Sequence, residues 1–158
     1  MNKWILYVFT LGFAAYWASN LLLWFPWSYS STLGITLMLT ASPVLWAFVI
    51  FLALRTYPRV TVLNGAFIIA AIFLVLAAVL DYIFFGIIRN AMEELYHPTT
   101  FYGYAFLVFW PVILFLIIKS KITRYKRSVA NIDIVKAAMS GLICFATLTL
   151  IILLDVKI

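Results

Sequence analysis

The chain has 158 residues, of which 67% are apolar, 18% aromatic and only 10% charged, with a net charge of +6, whereas an ordinary soluble domain has roughly 45–50% apolar and about 25% charged residues. That composition excludes a soluble globule. The single cysteine, Cys144, excludes an intramolecular disulfide, and no Cys/His spacing matches a zinc, haem or iron–sulfur site, so no metal and no cofactor is expected.

Crossing a hydrocarbon core takes about 20 apolar residues in a helix, and five such runs are present, at 4–25, 33–54, 62–88, 101–118 and 134–154. The expected fold is therefore all-α: a polytopic integral membrane protein, one domain over 1–158, built as a bundle of five transmembrane helices. The first run has features of a signal peptide, since Lys3 precedes it and the small residues Ala14, Ala15, Ala18 and Ser19 lie within it. The apolar stretch continues through Leu21 to Phe25, so it reads as a retained helix. Trp24, Trp27 and Tyr29 fall where an interfacial aromatic belt forms. Residues 26–32 are expected as a connecting segment.

The second run contains Pro43, which removes the hydrogen bond to the Leu39 carbonyl, with Thr40 and Ser42 beside the break. Broken helices with freed carbonyls line ion and substrate sites in transporters, but proline kinks are also common in membrane helices. Tyr57 then marks the end of the span.

In the third run, Asp81 is the one ionisable side chain set well inside an apolar stretch. A carboxylate at such depth costs about 2.5–3.5 kcal/mol on insertion scales, so it is expected to face other helices. Ala66, Ala70 and Ala77 fall within about 60° of it on a helical wheel, a small-residue stripe suited to close packing. Asp81 precedes Arg89 by roughly 12 Å of helix, which puts it in the same half of the bundle as Asn20, Thr36, Thr40, Tyr82, Tyr104, Thr147 and Thr149. If these converge, the cluster has the chemistry to hold a proton, a cation or a polar headgroup. The plainer reading is interhelical hydrogen bonding.

After Arg89 the good helix formers up to His97 suggest that the third helix projects further, stopping at Pro98. Glu93, Glu94 and His97 share a spacing that could grip a metal, but one histidine makes a weak site, and a solvated extension is the expected reading. The fourth run carries Pro111, which frees the Leu107 carbonyl, and ends in the basic patch Lys119, Lys121, Arg124, Lys126 and Arg127. In the fifth run Ala137-x-x-x-Gly141 has the spacing of a close helix contact, as does Ala15-x-x-x-Ser19 in the first, without saying whether the partner is in the same chain.

Orientation follows from charge. Lys3, Arg55, Arg59, Lys119, Lys121, Arg124, Lys126, Arg127 and Lys136 fall on one side of a five-span layout, and only Arg89 and Lys157 on the other. Basic loops stay cytoplasmic, so the N-terminus is expected inside and the C-terminus outside. A bacterial cytoplasmic membrane is the expected location. The expected partners are membrane lipids, with anionic lipid at the basic patch, and either a membrane protein or further copies of the chain, and no nucleic acid. No catalytic residues are expected, because Ser140 and Cys144 have no histidine at their depth and Asp81 has no second acid near it. The favoured function is a membrane-embedded accessory or regulatory subunit acting through helix–helix contacts. The alternative is a homo-oligomeric transporter or channel, or a protein binding lipid or a small hydrophobic ligand around Asp81.

Overall fold

Long apolar runs satisfy their own backbone donors and acceptors most completely as helices, and the chain uses little else. A computed structural model describes residues 1–154, so Lys157 lies outside the described residues. The elements are α1 (Asn2–Tyr29), α2 (Ser31–Arg55), α3 (Val62–Asp81) running on as a π-helical segment (Tyr82–Ile88), a short 3-10 turn (Met92–Tyr96), α4 (Pro98–Arg124) and α5 (Asn131–Leu153). Five helices, counting α3 with its π segment, are long and apolar enough to span a membrane.

The connections differ from the sequence reading in two places. The expected 26–32 connection shrinks to one residue: α1 continues through Pro26 to Tyr29, and Ser30 alone, in an extended conformation, separates it from α2. The Ser30 N–H donates to the Pro26 carbonyl at 3.1 Å and its hydroxyl accepts from the Leu33 N–H at 3.4 Å, so one serine closes one helix and caps the next. The expected helical projection through His97 is also absent. The chain reverses at Asn90, whose φ of 49° lies in the left-handed region that asparagine tolerates better than most residues. His97 instead starts α4, its Nδ1 accepting from the Thr99 N–H at 3.4 Å. The prolines do not break their helices, since α2 runs through Pro43 and α4 through Pro111; the non-helical residue in α4 is Ile118.

α1 packs on α2, α3 and α5, and α4 packs on α3 and α2. Two helical hairpins, α1–α2 and α3–α4, thus lie side by side, with α5 against α1. The core between them is strongly aromatic. Trp17 is buried with Tyr16, Phe84 and Phe145 at centroid distances of 5.0, 6.0 and 4.7 Å, geometries that add about 0.5–1.5 kcal/mol per pair beyond area burial. α5 reaches α1 through Gly141, where an added Cβ would sit 2.4 Å from Phe13 Cδ1 and 3.1 Å from the Ala14 Cα. The Ala137-x-x-x-Gly141 face is therefore spent on an intramolecular contact.

The basic residues near the chain connections gather at one end of the bundle. There Trp4 Nε1 donates to the Ala53 carbonyl at 2.9 Å, and the Arg127 N–H donates to the Arg55 carbonyl at 3.0 Å. Arg127 grips both oxygens of Asp133, at 2.9 and 3.1 Å.

Candidate functional site

Asp81 is the last residue of α3 before the π segment and is 8% exposed. The stripe of Ala66, Ala70 and Ala77 is buried along the same face, and these small side chains let neighbouring helices come close to the carboxyl. α1 supplies Tyr16, whose hydroxyl donates to Asp81 Oδ1 at 2.6 Å, the short end of the O–H···O range. α4 places Tyr104 beside the same carboxyl. Asn20 lies one turn beyond Tyr16 and donates from Nδ2 to the Tyr16 carbonyl at 3.1 Å. Three helices thus meet at one buried acid.

The π segment shapes the end of this cluster. Its wider turn follows Asp81 directly; it buries Phe84 against Trp17 and Trp24 and leaves Tyr82 57% exposed. Single turns of this kind recur at functional sites. Arg89 closes the segment, its guanidinium 5.0 Å from the Trp24 ring centroid, 5.7 Å from that of Phe84 and 5.5 Å from that of Phe85. On the neighbouring stretch of α1, Trp17 Nε1 and Ser19 Oγ are buried without a hydrogen-bond partner among the described residues.

The expected cluster assembles only in part. Asp81 and Tyr104 come together, and Asn20 supports the strand of contacts from the α1 side. Tyr82, Thr36, Thr40 and Thr147 face outward. Thr36 donates to the Thr32 carbonyl at 2.8 Å and Thr40 to the Thr36 carbonyl at 2.7 Å, so a helical threonine satisfies its hydroxyl on its own backbone and need not turn inward. Thr149 Oγ1, on α5, is buried without a partner among the described residues. Tyr16 was not among the residues expected here. Its signal was its position four residues before Asn20, on the same helical face.

Other polar features carry less. Ser140 donates to the Lys136 carbonyl at 2.9 Å, so its hydroxyl is spent on its own helix. Among the described residues no group of three or more His, Cys, Asp or Glu side chains is placed to hold a metal; the His97 ring contacts Thr99 Oγ1 at 2.8 Å, and the side chain of Glu94 lies outside the described residues. Within the basic patch, Lys119, Lys121 and Arg124 are exposed on the last turns of α4. Lys126 donates to the Arg59 carbonyl at 3.0 Å, and the bond from Asp133 holds the Arg127 guanidinium above its usual range.

Comparison with known protein families, with curated proteins and with solved structures finds no match to this chain.

Proposed function

We propose that this chain is an integral membrane protein, set in a cytoplasmic membrane such as the bacterial inner membrane, that serves as an accessory or regulatory subunit through its helix faces. The basic end is the cytoplasmic side, because nine of eleven Lys and Arg residues belong to it, and the C-terminus is external.

The observation that carries this reading is the closed character of the interior. From Asp81 toward the basic end, α3 buries Leu76, Phe73 and Ile69 in an apolar core shared with Trp46, Ile50 and Val8, so the described residues fill that stretch of the interior with apolar side chains. Meanwhile α4 and α5 turn Phe109, Leu116, Ile117, Leu142, Ile143 and Leu150 outward, a surface for lipid or for another membrane protein. Under this reading the Tyr16–Asp81–Tyr104 cluster is a clamp holding α1, α3 and α4 in register. The test is the native mass of the protein extracted from its own membrane into lipid nanodiscs. A stoichiometric second protein supports the subunit reading, and a monomer or homo-oligomer without one overturns it.

A second reading has its own support. The π turn beside Asp81, with unpaired donors on Trp17 and Ser19 nearby, is the arrangement of a small polar binding site in the outer half of the bundle. It predicts a lipid or small ligand co-purifying with the wild type and lost from Asp81→Asn at unchanged thermal stability.

A further inference from the structure

A cleft of about 510 Å³ opens at the basic end, where the start of α1, the α2–α3 connection and the α4–α5 connection meet. Its lining includes Lys3, Trp4, Tyr57, Pro58, Lys126 and Arg127 and, among the described residues, contains no carboxylate. The nearby acid, Asp133, is already occupied by the Arg127 fork and the Ala130 N–H, which donates to it at 2.9 Å.

The walls are held in place. Trp4 is tied to the Ala53 carbonyl and packs edge-on to Tyr57 at 4.8 Å. Tyr57 in turn lies over Gly65, where a Cβ would come 2.8 Å from the ring, so only glycine lets that ring sit so low. The two connections are joined by the Arg127–Arg55 backbone bond and the Lys126–Arg59 bond. Tyr57 itself is 1% exposed, and its hydroxyl is sealed inside the wall with no partner among the described residues; the donors open to the cleft are the exposed Lys3 and Lys126.

We propose that this cleft binds the phosphate of an anionic lipid headgroup. Phosphate oxygens offer several acceptors at once, enough for the ammonium groups of Lys3 and Lys126, the latter with two of its three donors still to spend. The apolar side of the cleft, from Trp4, Pro58 and Val129, suits the glycerol region behind the phosphate. Exposed Lys119, Lys121 and Arg124 raise the local concentration of anionic lipid without entering the cleft. The lipid source rests on the membrane-spanning reading; the phosphate chemistry does not.

The experiment is native mass spectrometry of the full-length protein released from phosphatidylcholine nanodiscs titrated with phosphatidylglycerol, with inorganic phosphate as a soluble competitor. One phosphatidylglycerol per chain is expected to be retained saturably. Lys3→Gln and Lys126→Gln are each expected to weaken retention about fivefold. Lys121→Gln, outside the cleft, is expected to leave it unchanged. Because Lys3 is exposed, the melting temperature of Lys3→Gln without anionic lipid is expected to equal that of the wild type, which separates lost binding from lost folding. An equal loss in Lys121→Gln, or no saturable adduct, would overturn the proposal. Displacement by inorganic phosphate at concentrations matching the lipid would overturn the lipid source in favour of a soluble phosphate compound. A chain that proves not to be a subunit by nanodisc mass leaves each of these outcomes readable.

Discussion

Tyr16 and Asp81 are separated by 65 positions in the chain, and their side-chain oxygens lie 2.6 Å apart. The bond ties the first helix of one hairpin to the first helix of the other, and Tyr104 reaches the same carboxyl from the fourth. A buried acid with these neighbours is a fixed point about which the hairpins are registered.

That relationship is measurable as a coupling. Tyr16→Phe strips a buried carboxyl of a donor and is expected to destabilise the protein by about 1–3 kcal/mol. Asp81→Asn keeps an acceptor for the tyrosine and should cost less. The double variant should fall short of the sum by about 0.5–3 kcal/mol in a thermal or denaturant cycle; strict additivity would mean that the bond contributes nothing to holding α1 on α3.

The α1–α5 contact offers a second measurement. Gly141→Val would drive a side chain into Phe13 and toward the Ala14 backbone, at an expected cost of about 1–3 kcal/mol. Gly103→Ala on α4 meets nothing within 4 Å and should be neutral or stabilising by up to about 1 kcal/mol through helix propensity. Equal melting temperatures for the two variants would contradict the docking of α5 on α1 through this glycine.

The reversal after the π segment depends on one residue. Asn90 holds a φ of 49°, so Asn90→Ala is expected to lose roughly 1–2 kcal/mol, whereas Asn90→Gly should be tolerated. Hydrogen exchange of the Ala91 N–H, bonded to the Phe85 carbonyl at 2.7 Å, is a local readout: it should quicken in the alanine variant and stay slow in the glycine variant.

Orientation is open to direct labelling. Ser30 and Ser128 are both exposed and lie in connections at opposite ends of the bundle. In a Cys144→Ala background, an impermeant thiol reagent applied to intact cells should modify Ser30→Cys and spare Ser128→Cys until the membrane is opened. The reverse pattern would invert the proposed topology.

Much of this architecture is legible in single stretches of sequence. Five apolar runs of spanning length, the segregation of nine cations from two, and the Ala66–Ala70–Ala77–Asp81 face all follow from residues close together in the chain, because helix length and helical period are local properties. What the chain could not reveal locally is which faces meet. The choice of Tyr16 over Thr36, Thr40 or Thr147 as the partner of Asp81 depends on how two hairpins pack, since Thr36 and Thr40 satisfy themselves on their own helix and Thr147 is exposed, while the tyrosine hydroxyl projects far enough to bridge to another helix. The same holds for Gly141, whose spacing announced a contact but whose partner on α1 was decided only by the docking of α5. The basic cleft walled by Trp4 and Tyr57 likewise exists only where three segments distant in sequence are tied together, through backbone carbonyls that carry no sequence signature.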